Sequence, residues 1–243
     1  MMQNYKLIIS YDGIDFHGWQ RQPNRRTIQG VLEESLAKIT QKKIPILGSG
    51  RTDAGVHAQG QVAHFKANLN IKAEELLRAL NSITPDYVRI ISLKEIDMNF
   101  HARKSARSKI YQYRIFNSPE ISPFLFRYVF HWPSPLKVSL MKEAAPYFVR
   151  EADFTAFSSN RLLNPVRKVF RSEIRKKGNE IIYTIEANGF LRYMVRTITG
   201  TLLEIGKGKM KPEQVEDIFR EKKRSLASPT APAKGLCLVR VNY

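Results

Sequence analysis

Cysteine is almost absent from this chain of 243 residues, and its scarcity limits what the protein can be. The single Cys237 cannot form an intramolecular disulfide, which excludes a disulfide-stapled scaffold and favours a cytoplasmic location. Because Cys237 lies in the alternating apolar stretch GLCLVRV, we expect it to pack in the core. No apolar run is long enough to cross a bilayer, and MMQNYKLIIS lacks the pattern of a signal peptide, so we expect no membrane partner.

Acidic residues are also scarce relative to basic ones. The chain has 22 Asp and Glu against 40 Lys and Arg, which gives a formal net charge of +18. A protein this basic most often binds a polyanion, and nucleic acid is the leading candidate. No segment resembles a basic amphipathic membrane anchor. Charge alone separates neither RNA from DNA nor an enzyme from a passive binding protein.

A functional nucleotide-binding loop is missing, although the segment GSGRTDAGVHAQGQVAHF (residues 48–65) resembles one at first. Asp53 stands where a dinucleotide loop has its third glycine, and it would repel a pyrophosphate. The spacing of Gly50 and Gly55 fits a P-loop, but Val56 and His57 replace the required Lys-Ser/Thr pair. The histidines are scattered without acidic or cysteine partners, so we expect no metal site.

Short strands and helices alternate along the whole chain. YKLIISYDG, IPILGSG, QVAHF, YVRIISLKEI, SKIYQYRIFN and LCLVRV read as strands, with Leu7 and Ile9 on one face of the first. Thr27 is expected to cap a helix with a buried stripe of Ile28, Val31, Leu32, Leu36 and Ile39. The pattern predicts an α+β fold with mostly antiparallel sheet. Two domains are expected, at 1–105 and 106–243.

The second half predicts a β-hairpin that turns at Gly178 and Asn179. On its first strand we expect an apolar face of Val166, Phe170 and Ile174, and an opposite basic face of Arg167, Arg171 and Arg175. A helix is expected to follow, with a buried stripe of Leu191, Met194, Val195, Ile198, Leu202 and Ile205. Gly200 inside this helix indicates that another segment packs closely against it.

Asp53 and Arg51 are the first candidates for chemistry. An aspartate has an ordinary pKa of about 3.9, so it is ionised at pH 7 and needs no neighbouring base to act as a nucleophile. Arg51 could bind phosphate or steady the loop. On local spacing alone, an aspartate that bonds to its own turn is the commoner interpretation.

Two further sets of residues have the chemistry of a nucleic-acid site. Arg192 and Arg196 are four residues apart and would share one helix face, where an arginine could keep a buried carboxylate charged. Tyr111 and Tyr113 alternate on a strand and could stack on a base. By pattern alone, solvated arginines and core tyrosines are the commoner outcomes.

The chain resembles the TruA-type tRNA pseudouridine synthases from end to end. The resemblance is carried by seven motifs in the same order: SYDGIDFHGWQRQ, TIQGVLEESL, GSGRTDAGVHAQGQVAHF, FHARKSARSKIYQYRIFN, DFTAFSS, NGFLRYMVRTITG and APAKGLCL. It implies the pseudouridine synthase fold, with two similar halves that each carry a mostly antiparallel sheet flanked by helices. It also implies a homodimer that isomerises uridine to pseudouridine in the anticodon stem-loop of tRNA, at positions 38–40.

The resemblance also assigns roles to four residues. Asp53 matches the catalytic aspartate, and Arg51 matches an arginine that binds RNA and positions the target nucleotide. Tyr111 matches the active-site tyrosine that contacts the flipped base, and Arg196 matches the arginine that pairs with the aspartate. The carboxylate either attacks the sugar C1′ or removes a sugar proton to give a glycal. No cofactor is expected, because substrate and product are isomers.

Two other functions compete with this interpretation. A non-catalytic basic RNA-binding protein would account for the charge and the tyrosines but leaves Asp53 without a role. A metal-dependent nuclease would need clustered acidic ligands, which the sequence lacks. Neither alternative accounts for all seven motifs.

Overall fold

The chain forms two compact units in a computed structural model that describes residues 1–159 and 164–243. The first unit comprises Met1–Arg107 together with Leu238–Tyr243, and the second comprises Ser108–Cys237. Both contain helices and antiparallel strands, which confirms the expected α+β class. The domains expected at 1–105 and 106–243 remain a prediction, because compactness does not show that either part folds independently.

The elements of the first unit are, in chain order, β1 (Gln3–Tyr11), α1 (Ile28–Thr40), β2 (Leu47–Gly48), β3 (His57–Ala67), α2 (Ala73–Ile83) and β4 (Val88–Ile96). Those of the second unit are β5 (Ser108–Asn117), β6 (Phe130–Trp132), α3 (Val138–Ala144), β7 (Glu151–Asp153), β8 (Val166–Lys177), β9 (Glu180–Ala187), α4 (Met194–Gly206) and α5 (Gln214–Glu221). The last strand, β10 (Leu236–Asn242), lies mostly in the first unit. Within the described residues, no helix has both the length and the apolar character that a bilayer crossing requires.

Strand β1 is the central strand of the first unit. It pairs antiparallel with β3 on one side and with β4 on the other. Tyr5, Leu7 and Ile9 alternate along it and are fully buried, as the period of two predicts. The shared face of Leu7 and Ile9 is thereby confirmed. This buried strand fixes the position of Tyr11 and of the segment that follows it.

Helix α1 begins where the sequence predicts but buries a narrower stripe. The Thr27 hydroxyl accepts a hydrogen bond from the Gly30 amide at 3.3 Å, which confirms the N-cap. The apolar residues that are fully buried follow a spacing of four: Ile28, Leu32 and Leu36. Val31 and Ile39 were expected in this stripe and are only half-buried, because they lie on its flanks.

The C-terminal residues complete the first unit. Strand β10 lies next to β3, and Gly60 of β3 comes so close to it that a Cβ there would be 2.4 Å from the Val239 carbonyl oxygen. The Tyr243 hydroxyl donates a hydrogen bond to the Ala102 carbonyl at 2.7 Å. Cys237 at the start of the strand is half-buried, so its expected place in the core is only partly correct.

The second unit is organised around the predicted hairpin. Strands β8 and β9 pair antiparallel and are joined by a turn in which Gly178 has φ +57°. Strand β9 also pairs antiparallel with β5, while β6 pairs parallel with the end of β5, from Ile115 to Asn117. The short β7 pairs with the beginning of β8. The hairpin thus confirms the turn at Gly178 and Asn179 and supports β5.

The predicted apolar face of β8 is wrong over its first half. A bulge between Val169 and Arg171 places Phe170 outside the pairing with β9, and this extra residue reverses the alternation. Val169 is therefore buried, whereas Val166 and Phe170 are 45% and 46% exposed. Beyond the bulge, Ile174 is buried as expected.

The predicted basic face of β8 is wrong for the same reason. Arg167 precedes the bulge, so it lies on the same face as the buried Val169 and is half-buried. This burial lowers the pKa of its guanidinium. Arg171 and Arg175 follow the bulge and lie on the opposite face. Both contact Glu173, at 2.9 Å in the case of the Arg175 Nε. This face is thus partly neutralised.

Helix α4 confirms the close packing expected at Gly200. A Cβ at this position would lie 1.9 Å from the carbonyl oxygen of Pro229. The helix begins at Met194, so Leu191 is buried in the segment before it and not within its stripe. Gly200 therefore lets the chain around Pro229 lie directly against the helix.

Replacing Gly200 by Ala should lower the free energy of unfolding by about 1–3 kcal/mol, because the new methyl group meets backbone that cannot move aside. Gly206→Ala in the same helix is the matched control. Its Cβ would meet the flexible end of the Met141 side chain at 2.7 Å, so we expect a smaller loss. Urea unfolding of both variants measures the difference, and equal losses would contradict the explanation.

His64 on β3 makes the stability of the first unit depend on pH. Burial lowers its pKa from the ordinary 6.5, and the charge of His101 adds to this effect. Its Nδ1 accepts a hydrogen bond from the Ala102 amide at 3.2 Å. The folded protein therefore favours neutral His64.

We expect the free energy of unfolding to decrease from about pH 7.5 to about pH 5.5, because the unfolded chain protonates His64 in this range more readily than the folded protein. His64→Gln removes this proton uptake and should show a smaller decrease. His17→Gln, at an exposed histidine, is the control substitution. Urea titrations at each pH measure the slopes, and an unchanged slope in His64→Gln would rule out this group as a cause.

Candidate functional site

The loop that carries Arg51 and Asp53 leaves β2 and enters β3, and β3 itself braces its first residues. The buried side chain of Gln61 accepts a hydrogen bond from the Ser49 hydroxyl at 2.7 Å and donates one to the Gly50 carbonyl at 3.1 Å. A fully buried amide that makes both bonds fixes the loop where it leaves the sheet. The backbone is therefore set before it reaches Arg51.

Thr52 anchors the middle of the loop. Its hydroxyl lies 2.8 Å from the hydroxyl of Tyr11, and its carbonyl accepts from the Trp19 amide at 3.1 Å. Gly18 makes this approach possible: its φ is +83°, and a Cβ there would lie 2.5 Å from the Thr52 oxygen. The segment after β1 thus holds the loop through backbone contacts that a larger residue would prevent.

Asp53 lies directly after this anchor, at the start of a turn. Its carbonyl accepts a hydrogen bond from the Val56 amide at 3.2 Å, and the Gly55 amide donates to the Phe16 carbonyl at 3.2 Å. Asp53 is half-buried between the buried Thr52 and the exposed Ala54. The carboxylate is therefore held on a fixed backbone at the edge of the protein surface.

Arg51 is exposed, but its guanidinium is held by residues that the sequence analysis missed. Its Nε donates to the Gln20 Oε1 at 3.2 Å, and the side-chain Nε2 of Gln20 donates to the Gln29 Oε1 at 2.8 Å. Gln29 is buried and also donates to the Ile46 carbonyl at 3.0 Å. The sequence signal for this network was Gln29, a polar residue beside Ile28 of the buried stripe of α1.

A second polar pair lies at the end of the loop. The Nδ1 of His57 is 3.1 Å from a carboxylate oxygen of Asp12, and both side chains are largely buried. Gly13 beside them approaches the loop closely, since a Cβ there would lie 1.9 Å from the Val56 oxygen. The loop is thus fixed at its beginning, middle and end.

Tyr111 lies on the inner face of β5 in the second unit. It is 8% exposed, and its ring meets that of Phe190 edge to face at a centroid distance of 5.1 Å. Tyr113 is on the same face, as predicted, and is fully buried with its hydroxyl donating to the Pro232 carbonyl at 2.8 Å. Tyr113 is therefore a core residue, whereas Tyr111 retains a small exposed area.

Arg196 lies in the first turn of α4 and is half-buried. Its Nε donates to the Ala231 carbonyl at 2.7 Å, and its Cζ lies 5.0 Å from the centre of the Tyr193 ring. The expected shared helix face with Arg192 is wrong. The helix begins at Met194, and Arg192 precedes it, so the spacing of four does not align the two side chains.

The expected site residues are divided between the two units. Arg51 and Asp53 share one loop of the first unit. Tyr111, Tyr113 and Arg196 belong to the second unit. Burial raises the pKa of the Tyr113 phenol, and the positive charge of Arg196 offsets part of that rise.

Comparisons with known proteins identify relatives over the whole chain. A family model described as tRNA pseudouridine synthase matches residues 7–103 and 144–243. These ranges include Arg51, Asp53 and Arg196, and Tyr111 lies between them. The chain is 46% identical to the tRNA pseudouridine synthase A of Thermodesulfovibrio yellowstonii, with 100% of both chains covered. It is 43% identical to the proteins of the same name from Thermoanaerobacter sp. and Brevibacillus brevis, again with 100% of each chain covered.

Gly18→Ala should free the loop from its anchor, because the substitution adds both an unfavourable backbone conformation and a contact with Thr52. We expect a loss of about 1–3 kcal/mol in the free energy of unfolding and faster hydrogen exchange at the Trp19 amide. Gly178→Ala is the matched control, since Gly178 also has a positive φ but has nothing within 4 Å of a Cβ. Faster exchange at Trp19 in the control as well would contradict a local cause.

Proposed function

The chain belongs to the tRNA pseudouridine synthase family, and on that premise we propose that it modifies the anticodon stem-loop with Asp53 as the catalytic carboxylate. As a member of this family it is an isomerase that converts uridine in tRNA to pseudouridine. The observation that carries the proposal is the fixed loop: contacts before, at and after Thr52 hold the half-buried Asp53 on a rigid backbone.

A carboxylate has the chemistry that this isomerisation needs. The C1′–N1 bond breaks, the base rotates and a C1′–C5 bond forms, and the proton lost from C5 is balanced by the proton that N1 gains. Asp53 either attacks C1′, which releases the uracil, or removes a sugar proton to give a glycal. Both routes use an ionised carboxylate and regenerate it at the end. Neither requires an oxidant or a reductant, because substrate and product are isomers.

We assign the other three residues to the handling of the target nucleotide. Arg51, whose guanidinium is held by Gln20, contacts the RNA backbone and positions the nucleotide. Tyr111, fixed by the ring of Phe190, contacts the flipped uracil. Arg196, fixed by the Ala231 carbonyl, matches the arginine that the resemblance pairs with the catalytic aspartate.

The charge of the protein supports an RNA substrate. Lys and Arg exceed Asp and Glu by 18, and the exposed residues Arg103, Lys104 and Arg107 form a basic segment between β4 and β5. Flipping a base out of its stack costs a few kcal/mol, which contacts to phosphates offset. The arginines of β8 contribute less than the sequence suggests, because Glu173 pairs with two of them.

Asp53→Asn should abolish turnover and leave tRNA binding unchanged. We expect a rate reduction of roughly a hundredfold or more, measured as tritium release from C5-labelled uridine in unmodified tRNA. Asp86→Asn is the matched control, since the Asp86 side chain is 97% exposed and lies outside the loop. Equal release by wild type and Asp53→Asn would show that another group is the catalytic carboxylate.

The substrate is tested separately. An anticodon stem-loop with uridines at the target positions should release tritium, and the same stem-loop with cytidines there should not. Binding of tRNA without release by the wild type would favour a non-catalytic RNA-binding protein, and cleavage of the RNA would favour a nuclease. The homodimer and the cytoplasmic location stay predictions from the resemblance and the cysteine content.

A further inference from the structure

Tyr193 has a backbone conformation that few residues other than glycine adopt. Its φ and ψ are +63° and +2°, and it immediately precedes α4. For a tyrosine, the left-handed region is unfavourable and is retained only where the surrounding structure requires it. Its carbonyl nevertheless accepts a hydrogen bond from the Thr197 amide at 2.9 Å, so the helix starts directly from this residue.

The ring of Tyr193 lies beside two guanidinium groups. The Cζ of Arg192 is 4.9 Å from the ring centre, and the Cζ of Arg196 is 5.0 Å from it. Both distances are within the range of a cation–π interaction. The left-handed Tyr193 sets the N-terminal start of α4, so Arg192 reaches the ring from the segment before the helix and Arg196 from its first turn.

Two contacts with Ala231 help to position the Arg196 guanidinium. The Ala231 carbonyl accepts from its Nε at 2.7 Å, and the Ala231 amide donates to the Arg196 carbonyl at 3.0 Å. These bonds fix one edge of the group and the backbone from which it extends. A hydrogen bond at Nε still allows the plane to rotate, and the neighbouring ring of Tyr193 limits that rotation.

We propose that Tyr193 is a positioning residue of the isomerisation, whose ring holds the guanidinium of Arg196 in its working orientation. The inference rests on the proposed function, because it requires that Arg196 acts in turnover. The ring is the part of Tyr193 that matters. The hydroxyl accepts a hydrogen bond from an Arg192 nitrogen at 3.3 Å, and we assign Arg192 no role in the reaction.

Two substitutions at Tyr193 separate the ring from the backbone. Tyr193→Phe keeps the ring, and we expect its single-turnover rate to stay within about twofold of the wild type. Tyr193→Gly removes the ring but suits the left-handed conformation, so the start of α4 is preserved. We expect its rate to fall about tenfold, with tRNA affinity changed much less.

The same substitution in an Arg196→Ala background tests whether Tyr193 acts through Arg196. In that background Tyr193→Gly should have no further effect on the rate. Tyr87→Leu is the matched control: Arg26 lies 5.0 Å from the Tyr87 ring in the first unit, and loss of this cation–π pair should leave turnover unchanged. Urea unfolding of each variant checks that it is folded under the assay conditions.

Three results would overturn the proposal. A wild-type rate in folded Tyr193→Gly would show that the ring is dispensable. An equal tenfold loss in the Arg196→Ala background would show that Tyr193 acts independently, and weaker tRNA binding at an unchanged rate would make it an RNA contact. A wild-type rate in Arg196→Ala alone would instead refute the proposed role of Arg196.

Discussion

Close backbone contact between the segment after β1 and the loop before β3 is the constraint on which the candidate site depends. Gly13 and Gly18 allow this contact, because a Cβ at either position would clash with a backbone carbonyl oxygen of the loop. The Thr52 carbonyl then accepts a hydrogen bond from the Trp19 amide, and its hydroxyl pairs with that of Tyr11, the last residue of β1. The loop is thus fixed through its backbone at Thr52, the residue between Arg51 and Asp53.

Regular elements were predictable from the sequence because their signals are local. The strand SKIYQYRIFN matches β5 residue for residue, and the Thr27 cap and the Gly178 turn lie where the pattern places them. Val31 and Ile39 were assigned too much burial, because periodicity gives the direction of a stripe but not its width. The width depends on what packs against α1, which the helix sequence does not encode.

Irregular backbone was not predictable, and it has the larger effect on the site. Nothing in the alternation of β8 indicates that Phe170 is an extra residue, since a bulge is defined by the pairing with β9. Likewise, the helical pattern of the sequence includes Arg192, but in the structure the left-handed Tyr193 places the start of α4 after it. For Asp53 the local pattern favoured an ordinary turn residue. Its proposed catalytic role came from the resemblance, which the similarity of the whole chain to tRNA pseudouridine synthases supports.

The composition of the first unit has a consequence for how the chain folds during synthesis. This unit includes Leu238–Tyr243, which the ribosome makes only after all 130 residues of Ser108–Cys237. Until then, β3 lacks its neighbour β10, and Ala102 lacks its hydrogen bond from Tyr243. An uncovered strand edge can pair with other chains. The edge of β3 in the nascent first half is therefore exposed to aggregation until β10 has been made.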